Sequence, residues 1–224
     1  MLTFPSSTLV GRAVPKTAFY RNLELSARLK QRFVDDVAGI EWVAKIAPST
    51  LPVEDGSEVH EIVLFRFSLK AEDTPDDVFL AIDRQMPRHT VFLLQYGERF
   101  RLLLNYKEWA DRIGGTFRIV KTFRTPWTGG EELSLPIEGS SMDRIYENMA
   151  GRISGFGTAS ASDTRQVIAL QDTIRSKRRQ AEALQKRVRA EKRFARQMEL
   201  NSEARALRQE LEQLSVRLDE LIKQ

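Results

Sequence analysis

Cysteine is absent from the 224 residues. That excludes disulfide frameworks, thiolate zinc sites, iron–sulfur clusters and cysteine nucleophiles, and it fits a reducing, cytoplasmic setting. Histidine occurs only at His60 and His89, too sparsely for a histidine-rich metal centre, so neither a metal nor a cofactor is expected. No apolar run reaches the roughly 18–20 residues that cross a bilayer. The opening Met1-Leu2-Thr3-Phe4-Pro5 lacks the basic-then-apolar layout of a signal peptide, so no membrane partner is expected. Glycine and proline are missing after residue 157, and Phe194 is the one aromatic residue beyond that point.

What is present divides in two. Hydrophobic residues make up 42% of the chain, enough to build a core. The net charge of +4 is unevenly placed: residues 161–224 carry 15 basic and 10 acidic residues, whereas residues 1–160 carry 20 and 21. The first part is therefore almost neutral and the tail is basic. The small-residue stretch from Gly151 to Ser160 reads as the junction, and Asp163 with Gln166 resembles a capping box. The expected organisation is a mixed α/β domain over 1–157, a linker over 158–162, and a helical arm over 163–224.

Within the first part, Pro15 opens a short helix, because its missing amide hydrogen is of no consequence there. Leu29, Phe33 and Val37 line one stripe of a helix over 26–37. Residues 40–46 read as a strand. Residues 59–69 read as a central strand, with Val59, Val63, Phe65, Phe67 and Leu69 on one face and Ile62 and Leu64 on the other. A helix over 75–86, a hairpin of 90–95 with 100–106 around Gly97, a strand over 117–123 and a helix over 142–153 follow. The fold class predicted is an α/β (α+β) globular domain of mixed sheet and flanking helices, followed by a long coiled-coil helix or a helical hairpin.

The arm carries two apolar seams. Val167, Leu170, Ile174, Lys177, Ala181, Leu184, Val188, Glu191, Ala195 and Met198 alternate in threes and fours; Ala204, Leu207, Leu211, Leu214, Leu218 and Leu221 form a second series. The frames differ by two residues, roughly 200° of helix, which is not a stutter or a stammer. Either the chain turns back near Asn201-Ser202, or one helix of about 90 Å meets different partners along its length. The absence of Gly and Pro favours the continuous helix. Arg175, Arg179, Lys186, Arg189, Arg193 and Arg196 occupy outward positions of the first seam. They are candidates for contact with nucleic-acid phosphates or an acidic protein, with a solvated outer face as the bland alternative. With Phe194 as the lone aromatic, base stacking is not expected and such binding would be sequence-blind.

Signals for chemistry are weaker. Gly155-Phe156-Gly157 precedes a helix, but a helix rather than a strand comes before it and Ser160 replaces the third glycine of a dinucleotide fingerprint. No GxxxxGK[ST] sequence occurs. His60 beside Glu61 on a strand, with no second ligand set, reads as structural. A restriction-like nuclease would place a carboxylate and a lysine two residues apart on a strand, whereas Glu61 is followed by Val63. Lys16, Lys45, Glu61 and Lys107 border apolar runs; they read as a buried ion pair inside the sheet or, alternatively, as the one candidate catalytic or anion-binding set. Glu61 interrupts an apolar face and needs a cation, for which Lys45 and Lys107 are the candidates.

An ordered series of residues resembles the bacterial DUF4391 family: Pro15-Lys16 with Phe19-Tyr20, Trp42, Lys45-Ile46, Pro48, Thr50, Glu61, Ile82-Asp83, Pro87, Tyr106-Lys107 and Trp127. In the tail, Glu191-Lys192-Arg193-Phe194 and Glu199-Leu200-Asn201 match as well. The resemblance implies a setting beside helicases and DNA methyltransferases in restriction-like or phage-defence clusters, and it implies no mechanism. The expectation is an accessory, non-catalytic subunit with a helicase or methyltransferase partner, possible homodimerisation through the coiled coil, and non-specific nucleic-acid contact. The alternatives are a metal-dependent nuclease or phosphate-handling enzyme around Lys45, Glu61 and Lys107, and a self-assembling scaffold.

Overall fold

The computed structural model describes residues 2–111, 116–155 and 161–223, without the side chains of residues 20, 161–163 and 223. The chain divides into two compact units, residues 1–158 and 159–224.

The first unit is built on a seven-stranded sheet. Strands β1 (Leu9–Ala13), β2 (Val37–Ile46), β3 (Ile62–Leu69), β4 (His89–Tyr96), β5 (Arg99–Asp111) and β6 (Thr116–Arg124) lie side by side in chain order, and the short β7 (Thr128–Gly129) pairs with β5. Only β3 and β4 run parallel; helix α3 (Asp77–Gln85) makes their crossover. The other pairings between these strands are antiparallel. Gly97 has φ +58°, a left-handed conformation that lets β4 turn into β5 within two residues.

The alternation along β3 decides the layering. Val63, Phe65, Phe67 and Leu69 belong to a core with Phe19 of α1 (Lys16–Asn22), Phe33 of α2 (Ala27–Asp36) and Val78, Phe79 and Ile82 of α3. Phe67 meets Phe79 and Phe92 edge-on, with ring centroids 5.3 and 5.7 Å apart. Such pairs add about 0.5–1.5 kcal/mol each beyond the area they bury. Helix α4 (Met142–Ser154) buries Ile145, Tyr146, Met149 and Ile153, and Tyr146 stacks on Tyr106 of β5 at 5.9 Å. Its N-terminus is capped by Ser141, whose Oγ accepts from the Arg144 N–H, and Gly155 ends it at φ 78°. The first glycine of the Gly155-Phe156-Gly157 series is thus a helix terminator; the rest of that series and most of the expected linker lie outside the described residues.

Two strands were not anticipated. β1 has all five residues exposed and holds Gly11 at φ +58°, so it lacks the alternation by which a strand is recognised. β7 is two residues long. Conversely, the strand read over 59–69 begins at Ile62, which leaves His60 and Glu61 before it.

The second unit corrects the reading of a continuous arm. Helices α5 (Ala161–Ala190) and α6 (Phe194–Lys223), each about 45 Å long, are joined by Glu191-Lys192-Arg193. They run antiparallel: Lys177 Nζ lies 2.7 Å from Glu210 Oε1, and the Gln197 carboxamide donates to the Val188 carbonyl at 3.1 Å. The turn comes ten residues ahead of the Asn201-Ser202 position, and polar side chains make it. Glu191 accepts the Arg193 N–H at 2.9 Å while Gln197 covers a carbonyl of the last turn of α5, so side chains satisfy a backbone donor and a backbone acceptor at the turn without Gly or Pro. The two-residue frame offset follows directly. The first seam belongs to α5 only as far as Val188, and the second belongs to α6; Val167 and Ile174 on α5 and Leu200 and Ala204 on α6 are buried, whereas Ala195 and Met198, which the first frame placed on its seam, lie on α6 and are exposed.

Candidate functional site

The four candidate residues of the globular unit separate into three places. Lys45 Nζ lies 3.1 Å from Glu61 Oε2, and Arg88 Nε lies 2.7 Å from Glu61 Oε1. Both carboxylate oxygens of Glu61 are therefore held by cations, of which Arg88 was not foreseen. Lys107 is not Glu61's partner. Its ammonium is fully buried and lies 3.1 Å from Asp83 Oδ1, itself fully buried. It also donates to the Asp83, Met86 and Arg88 carbonyls and sits 4.5 Å from the Phe117 ring centroid. Lys107 thus ties the C-terminal turn of α3 to β5, where a cation also opposes the negative end of the helix dipole. Lys16 stands apart: it donates to the Val37 carbonyl, at the opposite end of β2 from Lys45 and about 26 Å away along the strand.

The surroundings of the buried pair are equally committed. Asn105 donates to Asp83 Oδ2 at 2.7 Å and its own Oδ1 accepts from Thr122. Burial raises the Asp83 carboxyl above its ordinary value and lowers the Lys107 ammonium, each opposed by the charge of the other. His89 lies against Tyr146 and Phe117, at 4.5 and 5.2 Å between centroids, and burial followed by the Lys107 charge takes its pKa down to about 3. It is a neutral imidazole at physiological pH. His60 sits in an exposed loop with Nδ1 3.0 Å from Asp55 Oδ1.

Placement matters as much as pairing. Glu61 and Arg88 immediately precede β3 and β4, so their cluster lies at the amino edge of the parallel pair. Ligand crevices in open α/β sheets form outside the carboxyl ends of parallel strands. That other edge holds the ion pairs Arg99–Glu72, Arg124–Asp76 and Arg32–Asp77, with the Arg101 guanidinium 4.8 Å from the Trp127 ring centroid. Among the described residues, no group of three or more histidine, aspartate or glutamate side chains is placed to share a metal ion. Asp143, at the start of α4, accepts the backbone N–H groups of Ser57, Glu58 and Val59 at 2.7, 3.0 and 2.8 Å, and also the Ser57 hydroxyl. Burial works to raise this carboxyl, but the four donors outweigh it and hold it below its ordinary value.

The arm differs in kind. Arg175, Arg179, Lys186, Arg189, Arg193 and Arg196 are all exposed, as are Arg178, Arg187 and Lys192. Helix α5 carries eight basic and three acidic residues, whereas α6 carries five and six, so the excess charge resides on α5 and the turn. Arg175, Arg178, Arg179, Lys186 and Arg189 fall within an arc of about 100° on α5, interrupted only by Glu182. Arg175 has Asp172 at 3.8 Å and Arg196 has Glu199 at 2.5 Å. For Arg179, Lys186, Arg189 and Arg193, no acidic side chain lies within ion-pair distance among the described residues.

The model of a family described as a domain of unknown function, DUF4391, matches residues 2–211. The chain belongs to the DUF4391 family. No curated protein and no solved structure matches it. The DUF4391 match runs through the globular unit and α5 and into α6. Several residues that carried the resemblance turn out to be internal fastenings: Asp83 with Lys107, Lys45 with Glu61, Trp127 beneath Arg101, and Tyr106, whose hydroxyl donates to Glu147 at 2.8 Å.

Proposed function

We propose that this DUF4391 protein is a non-catalytic accessory subunit of a DNA-processing or restriction-like defence assembly, with its helical hairpin as the contact arm. The observation that carries the reading is the exposed basic face of α5 and the adjoining turn, in which four cations lack an acidic partner among the described residues. Cations so placed displace the counterions condensed on nucleic-acid phosphates, a sequence-independent attraction that weakens with salt. The globular unit supports the reading because its candidate ionisable groups are engaged with one another: Lys107 with Asp83 and three carbonyls, Glu61 with two cations. A helicase or methyltransferase is the partner that the family setting implies, and the leucine seam of the arm is read as coiled-coil packing.

The test is retention of DNA at low salt by the full chain. The variant Arg189→Glu/Arg193→Glu/Arg196→Glu should lose it, with helicity preserved by circular dichroism. Unchanged retention would remove the nucleic-acid part of the reading. DNA cleavage with Mg²⁺ or Mn²⁺ that disappears in Glu61→Ala would replace the reading with an enzymatic one.

A further inference from the structure

The tip of the hairpin presents apolar surface where the chain has every reason to hide it. Phe194, the first residue of α6, is 75% exposed, and Met198, one turn later on the same side, is 58% exposed. Single exposed apolar residues are ordinary. A pair at i, i+4 beside a dense cluster of cations is less so. Residues 186–198 contain six basic side chains, Lys186, Arg187, Arg189, Lys192, Arg193 and Arg196, against one acidic residue, Glu191, whose carboxylate is occupied by the Arg193 N–H.

The geometry points to a base-contact site at this tip: α5 follows a phosphate backbone while Phe194 stacks, with Met198 beside it, on an unpaired base at a strand end or a single-strand/duplex junction. The inference rests on the nucleic-acid reading above and narrows it to a substrate class. Three observations favour it. The cations extend along α5 from Arg175 to Arg189, about 21 Å, which matches a linear run of phosphates better than a flat anionic surface met end-on. Two side chains are too little apolar area to hold a protein on a bilayer, where a whole amphipathic helix face is normally needed. An aromatic ring stacks on any base, and an end or a junction offers one without the few kcal/mol that unstacking a duplex step costs, which favours ends and junctions. The scarcity of aromatics in the arm argued against stacking; the structure places the single one at the exposed extremity.

The experiment compares a blunt duplex with the same duplex bearing a single-stranded tail, titrated with the full chain at low salt and followed by fluorescence anisotropy. The native protein should bind the tailed form about tenfold more tightly, in line with one stacked base. Phe194→Ala should abolish that preference and leave blunt-duplex affinity unchanged, whereas Phe194→Trp should retain it. Because Phe194 is exposed, both variants should keep the native far-ultraviolet spectrum. Equal native affinity for the two DNAs, or a preference that survives Phe194→Ala, overturns the inference and leaves the phosphate-binding reading standing. Absence of any DNA binding that the cations govern removes both. Binding to phosphatidylserine vesicles that Phe194→Ala releases, with no tail preference, would make the tip a membrane element instead and also overturn it.

Discussion

Lys107 and Asp83 are both fully buried, and a buried ion pair is stable only when the remaining hydrogen-bonding capacity of each ion is used. Here three carbonyls and Asn105 use it. Lys107→Met leaves the carboxylate without its cation and should cost about 3–5 kcal/mol in urea denaturation. Asp83→Leu/Lys107→Met, which removes both charges, should recover part of that loss. His89 yields a second expectation at this scale. Its folded pKa of about 3 lies below its ordinary 6.5, so the folded state binds fewer protons between those values. The sign follows: the contribution to stability is complete above pH 6.5 and declines as pH falls towards 3. Between pH 7 and pH 5 it should remove about 2 kcal/mol, measured as a shift in urea midpoint that His89→Phe abolishes.

At the scale of elements, Asp143 is the hinge pin between α4 and the loop before β3. Gly56 belongs to the same joint, because a Cβ there would meet Asp143 Oδ1 at 2.3 Å. Asp143→Ala leaves three backbone amides and a hydroxyl without their acceptor, and faster hydrogen exchange at Ser57, Glu58 and Val59 should report it. The depressed pKa of Asp143 acts in the acid range: its stabilisation is present above the ordinary carboxylate value and lost as pH falls through the lowered one. Elements were also where sequence reading was strongest. The helices over 26–37, 75–86 and 142–153 and the strands flanking Gly97 all lie within a few residues of their positions, because each carries its own hydrophobic period. β1 carries none and was invisible. The arm's turn was misplaced because Glu191 and Gln197 do by side-chain hydrogen bonds what glycine or proline does by backbone conformation.

For the whole molecule, the division of charge is the feature with consequences. A near-neutral globular unit and a basic α5 predict that any DNA affinity depends steeply on salt. If four to six cations engage phosphates, the log–log slope should be about −4 to −5, and reversing three of them should flatten it by about 3. A binding isotherm series across salt concentrations measures both. A slope near zero would indicate that the basic face is only solvated.

The chain's own order of residues determined the mixed α/β class, the basic, glycine-free arm and the candidate cations, because periodicity and charge are local properties that survive without a partner. Tertiary structure alone decided which ions meet: Glu61 takes Lys45 and Arg88, Lys107 takes Asp83, and Lys16 is left at the far end of β2. It also decided that two conflicting seams are two antiparallel helices and that Phe194 stands at their turn. Ion pairing and strand order bring together residues tens of positions apart, and no local pattern encodes a distance that only the folded backbone creates.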